Sequence, residues 1–224
     1  MFNNNKYGNL LTIILIVAII AIIGIIAIIG YRIYKAYYIE TGAMQAATEF
    51  ETYVSQENTV NNTNNTVIQE GEIVNIEETF EQNTTTEQNV TTYKGFVVVG
   101  TINIPSIDLK YPILEKNTKK SLETSVVLMY TSNGINEIGN TVIIGHNYRN
   151  GTMFSDVKKL ESGDYIYITD NKGKKVRYTV YNIYRTSGSD SKYITRNTEG
   201  KREISLSTCT DDSKARTIVL ARES

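Results

Sequence analysis

The sequence predicts a mainly β domain carried behind one transmembrane helix and a disordered spacer, and three observations predict it. Leu10–Gly30 is an unbroken apolar run. Thr41 to about Thr92 is poor in apolar residues and rich in Asn, Thr, Gln and Glu. From Lys94 onward, short runs of alternating polarity are separated by turn-forming residues, the pattern of β-strands. The expected division is therefore an anchor at 1–40, a linker at 41–93 and a folded domain at 94–224.

The apolar run reads LLTIILIVAIIAIIGIIAIIG, 21 residues with no charge. At 1.5 Å per residue it reaches across a hydrocarbon core of about 30 Å. A cleaved signal peptide has a shorter apolar region followed by a small-residue site. Here Tyr31, Tyr34, Tyr37 and Tyr38 follow instead, in the manner of an interfacial aromatic belt. A retained helix is predicted. Flanking charge, Lys6 on one side and Arg32 with Lys35 on the other, leans toward an N-terminus outside the cell.

No Lys or Arg lies between Lys35 and Lys94, a stretch holding ten Glu, while the part from Lys94 onward has 20 basic and 14 acidic residues. The basic excess is dispersed, which points to a solvated surface and away from nucleic acid. The Asn/Thr/Glu stretch lacks the apolar residues for a core, so a disordered or loosely helical tether is predicted, with pieces such as Ile73–Phe80 able to pack on the domain.

Candidate strands in the domain are Phe96–Ile102, Asp108–Ile113, Ser125–Met129, Thr141–His146, Tyr165–Thr169, Lys175–Arg185, Glu203–Thr208 and Thr217–Ala221. Turns are marked by Asn133-Gly134, Ser162-Gly163, Asn171-Lys172-Gly173 and Ser187-Gly188. Lys119–Thr124 and Met153–Leu160 read as short helices, the second placing Met153, Phe154, Val157 and Leu160 at helical spacing as core contacts. Eight short strands with regular turns suggest a closed or nearly closed barrel.

Chemistry narrows quickly, because the chain has one cysteine, Cys209, and one histidine, His146. No intrachain disulfide is possible, and two soft ligands are too few for zinc. Glu199 and Glu203 are two carboxylates, insufficient for a calcium site. No metal or cofactor is expected.

In Glu203–Cys209, alternation turns Ile204, Leu206 and Thr208 to one face and Ser205, Ser207 and Cys209 to the other. Cys209 thus ends its strand on the polar side, unlike the buried position usual for a lone cysteine. Arg216 opens the next apolar run, and if the two runs form a hairpin it lies beside Cys209. A guanidinium there favours a thiolate and donates to a developing oxyanion. His146 closes Thr141–His146 behind Gly145, at a strand end that can face a cleft. Each residue alone has a bland reading as a surface or structural group. Together a thiol, an imidazole and a guanidinium supply attack, proton transfer and charge stabilisation. Asn147 is placed to orient the imidazole.

S-L-S-T-C at Ser205–Cys209, followed by Arg216, resembles the sortase signature T-L-x-T-C…R, with Ser205 in place of Thr. V-I-I-G-H at Val142–His146 resembles the sortase histidine strand, and G-T-I-N-I-P at Gly100–Pro105 with Pro112-Ile113 resembles the family's first strands. The resemblance covers about residues 95–221 and implies an eight-stranded sortase barrel. H-N-Y-R-N-G-T-M-F at His146–Phe154 is similar to the class B histidine loop. The 17 residues of Thr186–Arg202 are too few for the class B insertion and fit class D length, so the subclass stays open.

The resemblance implies a transpeptidase cleaving an LPxTG-like C-terminal sorting signal through a Cys209 thioacyl intermediate. An amine from a peptidoglycan precursor or a pilin lysine resolves it. His146 and Arg216 are the implied catalytic partners, and Thr208, Asn147, Asp190 and Tyr193 the implied substrate-binding residues, the last two on a groove wall within Thr186–Arg202. Surface proteins of a Gram-positive cell wall are the implied partners, with membrane lipid around the N-terminal helix. The family implies an extracellular catalytic domain and an N-terminus inside, overriding the flanking charge. A membrane-tethered cysteine peptidase and a non-enzymatic surface-binding module are the alternatives. The order His146 before Cys209 counts against a papain-like peptidase.

Overall fold

The computed structural model describes residues 4–64 and 90–224, with side chains at 8–57 and 90–224. Helix α1 runs Asn4–Asn64, and the chain divides into two compact units at Thr41/Gly42. In the first unit the apolar side chains of Leu10–Ile29 are exposed, Leu11 to 70 %. A helix this long and apolar can cross a membrane.

The second unit is built on strands β1 (Thr92–Tyr93), β2 (Phe96–Ile104), β3 (Leu109–Leu114), β4 (Val126–Thr131), β5 (Gly139–Ile144), β6 (Tyr165–Asp170), β7 (Lys175–Ser187), β8 (Arg202–Cys209) and β9 (Ala215–Glu223), with helix α2 at Lys119–Thr124. Their order is β1-β2-β3-β4-β5-β8-β9-β7-β6, and β6 returns to pair with β2. Strands β2 to β9 therefore close an eight-stranded barrel, and β1 adds a short outer pair. Closure removes the unpaired edges that an open sheet would present. Two pairings are parallel, β3 with β4 and β5 with β8. The rest are antiparallel hairpins or returns.

The inward-facing residues of alternate positions, among them Ile102, Ile143, Ile166, Ile168, Leu206 and Val219, fill the barrel with Tyr111, Phe154 and Tyr178. Helix α2 begins at Thr118, whose hydroxyl accepts from the Ser121 amide while Ser121 accepts from the Thr118 amide, a reciprocal cap.

Two expectations are corrected. Met153–Leu160 is not a helix, although Met153, Phe154, Val157 and Leu160 are all buried in the core. Met153 has φ +51°, incompatible with a helical start, and only Val157–Lys159 forms a single 3-10 turn. The expected tether is in part a packed helix. The Gly42–Glu57 stretch of α1 buries Ala43, Ala47, Phe50 and Val54, spaced to share one helical face. Phe50 and Val54 pack with Tyr93, Val98, Leu114 and Val127 on the outside of the barrel. Glu51 fixes the docking by accepting from Thr101 Oγ1 at 2.7 Å and Lys110 Nζ at 3.0 Å. Ile73–Phe80 lies outside the described residues.

Candidate active site

The strands β8 and β9 form a hairpin whose last register pair is Cys209 with Arg216. Thr210 closes the loop between them. Its amide donates to the Ala215 carbonyl at 2.9 Å, and its hydroxyl accepts from the Ala215 amide at 3.1 Å. Side chains of a register pair share a face, and Arg216 Nη1 lies 3.9 Å from Cys209 Sγ.

The parallel pairing of β5 with β8 brings in the histidine. Ile144 is in register with Ser207, so His146 and Cys209 stand two residues beyond matched positions on neighbouring strands. The two strand ends are tied across this gap. Thr208 Oγ1 donates to the Gly145 carbonyl at 2.7 Å, and Asn147 Nδ2 donates to the Cys209 carbonyl at 3.0 Å. His146 sits between these two ties. Its strand ends two residues sooner than expected, at Ile144, and Gly145 packs closely against the core. A Cβ on Gly145 would meet Phe154 Cγ at 2.8 Å.

His146 is half-buried, with its ring centroid 5.0 Å from that of Tyr148 at an interplanar angle of 39°. Burial pushes the imidazole pKa below its ordinary value, partly opposed by the negative charge of Glu123 on α2. Burial thus favours the neutral ring, the form able to accept a proton.

The four residues expected to bind substrate are held by contacts within the domain. Thr208 is buried and faces away from Cys209, its hydroxyl spent on Gly145. Asn147 orients the cysteine strand and not the imidazole, since it bonds the Cys209 carbonyl and Asp211 Oδ1. Asp190 accepts from Thr186 Oγ1 and from the Lys192 amide, which shapes the β7–β8 connection. Tyr193 is only 4 % exposed, so its ring packs with Val142, Ile218 and Leu220 and presents almost no surface to a ligand.

That packing changes the reading of the cysteine face. Ser205 and Ser207 share it by alternation, yet both are buried, because residues 188–200 lie over the outside of β5, β8 and β9. Half-buried Ile144 and Tyr184, with Ile194 from the cover itself, pack with Val142, Tyr193, Ile218 and Leu220 and form an apolar strip on this face. A cavity of about 520 Å³ is lined by Thr208, Thr217, Asn147, Lys158 and Asp211, with Tyr184 at its edge. Cys209, His146 and Arg216 do not line it.

Sequence reading missed Tyr148 and Glu123 beside His146, and Arg196 and Asn140 under the β7–β8 connection. Glu203, weighed earlier as a calcium ligand, instead pairs with Arg196 and Arg222. Alternation in β8 already placed two serines on the cysteine face, a signal that something covers it.

The closed mixed barrel thus carries a thiol and a guanidinium paired at one rim, with an imidazole just beyond the end of the adjoining strand β5. The family model described as "Sortase domain" matches residues 102–224, and the chain belongs to the sortase family. It is 35 % identical over 121 residues to Sortase A of Bacillus anthracis, covering 52 % of this chain and 56 % of that protein, so it spans little more than half of that relative. A solved structure of a Clostridium perfringens Sortase D5 transpeptidase is 30 % identical with TM-score 0.52, over 57 % of this chain and 79 % of that one. Clostridium perfringens sortase C, solved with a C-terminal cell wall sorting motif, is 25 % identical with TM-score 0.50, over 57 % and 70 % of the two chains.

Proposed function

We propose that this protein is a membrane-anchored transpeptidase, with Cys209 as nucleophile, His146 as proton carrier and Arg216 as the oxyanion and peptide clamp. The observation that carries the reading is the 3.9 Å contact of the Arg216 guanidinium with the Cys209 thiol, on a sortase-family barrel. A sorting-signal peptide of LPxTG type lies along the apolar strip of Ile144, Tyr184 and Ile194 and presents its Thr carbonyl to Cys209.

The steps follow from the groups present. The thiol proton passes to neutral His146 as Sγ attacks the carbonyl carbon, and Arg216 holds the oxygen as its charge develops. The C–N bond breaks, His146 returns the proton to the leaving amine, and a thioester on Cys209 remains. An incoming primary amine attacks the thioester carbon and gives its proton to His146, the C–S bond breaks as the new amide forms, and His146 returns the proton to Sγ to restore the thiol. A peptidoglycan precursor or a pilin lysine supplies the amine, and bearers of the sorting signal are the donor partners. The apolar stretch of α1 anchors the enzyme with the barrel outside the cell, where such lipid-linked substrates pass.

The test uses the full chain in detergent micelles, a library of LPxTG-type peptides and a glycine-based amine. Intact-mass analysis should show a thioacyl adduct on Cys209 and amine-ligated peptide, both lost in Cys209→Ala. An adduct released only by water marks a peptidase, and a folded protein that forms no adduct overturns the reading.

A further inference from the structure

The connection between β7 and β8 contains no strand or helix, yet it covers the face on which Cys209 lies. Its own backbone bonds are few: Asp190 N to Ser187 O at 3.1 Å, Ile194 N to Ser191 O at 2.9 Å and Lys201 N to Thr198 O at 3.0 Å. Side chains hold it instead, and they converge on Arg196.

Glu203, the second residue of β8, has a side chain only 2 % exposed. Its carboxylate accepts from Arg196 Nη1, from Arg222 Nε at 2.9 Å and from Tyr181 Oη at 2.9 Å. A buried carboxylate left without such partners is strongly unfavourable, so Arg196 is held where Glu203 needs it. The rest of the Arg196 fork points along the sheet. Nη1 also reaches Tyr181 Oη at 3.1 Å, Nη2 donates to Asn140 Oδ1 at 3.2 Å, and Nε donates to Ser205 Oγ at 3.3 Å. Asn140 Nδ2 in turn donates to the carbonyls of Tyr193 at 2.9 Å and Ile194 at 2.8 Å. Ser207 Oγ donates to Tyr193 Oη at 3.3 Å. Ser207 is two residues before Cys209 on the same face. One continuous set of polar contacts thus runs from the buried carboxylate, through the connection, to the neighbour of the thiol.

We propose that Arg196, locked between Glu203 and Asn140, is a positioning residue that fixes residues 188–200 as the wall of the donor-peptide groove. This rests on the transpeptidase reading above. Arg196 touches neither the thiol nor the peptide. It sets the height of Ile194 and Tyr193 over the strip of Ile144 and Tyr184, and so the affinity for the donor, while leaving the Cys209–Arg216 geometry to the β8–β9 hairpin. A planar fork with four separate acceptors is required, which lysine cannot reproduce.

The full chain in detergent, with the LPxTG-type peptide that the wild type acylates best, tests this. In Arg196→Met, KM for the peptide should rise about tenfold or more with kcat within about twofold, the pattern of lost ground-state positioning. Arg196→Lys should fall between the two proteins, and the rate of Cys209 alkylation by iodoacetamide should not change. Hydrogen exchange should show faster amides in 188–200 with β8 and β9 unaltered. Asn140→Ala, which leaves the ion pair in place, should reproduce the KM effect, and carries the test should Arg196→Met not fold. An unchanged KM, a fall confined to kcat, or unchanged exchange in 188–200 overturns the proposal. A wild type inert toward every peptide overturns the transpeptidase reading instead, and the exchange comparison then decides by itself whether Arg196 anchors the segment.

Discussion

Cys209 and Arg216 are the terminal register pair of the β8–β9 hairpin, and the guanidinium lies 3.9 Å from the sulfur. The distance is set by the ladder and not by a flexible loop, so the pair is organised before any substrate arrives. Removing a preorganised donor to an oxyanion costs about 10²–10³ in kcat. Arg216→Ala is expected to lose activity on that scale in a peptide ligation assay, with Arg216→Lys recovering only part of it, and with thermal stability changed little.

His146 is the chain's single histidine, so its titration can be followed without assignment by NMR of an imidazole-labelled sample. Burial lowers its pKa and Glu123 partly raises it. The expected midpoint lies below 6.5, and Glu123→Gln should move it lower still. A folded-state pKa depressed in this way contributes stability above about pH 6.5 that is lost as pH falls toward the folded midpoint. A midpoint that is unmoved by Glu123→Gln would remove Glu123 from the account.

Gly145 separates the histidine strand from His146 against Phe154 and Val126. Gly145→Ala places a methyl 2.8 Å from Phe154 Cγ, an overpacking expected to cost about 1–3 kcal/mol in urea unfolding. The displaced strand end should also lower ligation activity more than that stability loss explains, because His146 is the next residue.

Phe50 on α1 is 2 % exposed, packed against Val98, Leu114 and Val127. Phe50→Ala should destabilise the barrel unit by about 3 kcal/mol, near the lower end for a buried aromatic. A protein truncated to begin at Lys94 loses this cover altogether and should melt lower than one beginning at Gly42. Equal melting points would mean that the helix contributes nothing to the barrel.

Glu203 carries the acid side of the stability profile. Burial by itself pushes its carboxyl up, and the hydrogen bonds from Arg196, Arg222 and Tyr181 outweigh it and hold the pKa below the ordinary carboxylate value of 4.5. Such a group stabilises the fold above its unfolded pKa, and that contribution disappears as pH falls through the folded pKa. Glu203→Gln should therefore be less stable at pH 7 and show a shallower loss of stability below about pH 4.5 than the wild type.

Most of the barrel was legible because strand formation is written in local alternation and turn chemistry. All eight expected strands are present, and Lys119–Thr124 is a helix as its pattern predicted. Met153–Leu160 failed because apolar spacing of three and four residues also fits a buried loop, and only the positive φ of Met153 distinguishes them. The docked part of α1 was hidden in a polar composition, although Ala43, Ala47, Phe50 and Val54 repeat at the spacing of one helical face. Their partners Val98, Leu114 and Val127 are far along the chain, so nothing local announced the contact.

By itself, the sequence determined a helix long and apolar enough to cross a membrane, a β domain, and a short set of residues able to do thiol chemistry, because one Cys and one His left no alternatives. The Cys209–Arg216 contact was also within reach, since a hairpin brings residues flanking one loop together. Tertiary structure alone decided what surrounds them. The parallel pairing of β5 with β8 brings the strand ends that carry His146 and Cys209 to neighbouring positions, and buried Glu203 pairs with Arg196 beneath the cover over the cysteine face. The energies of those contacts depend on burial and register, and neither quantity exists until the barrel has closed.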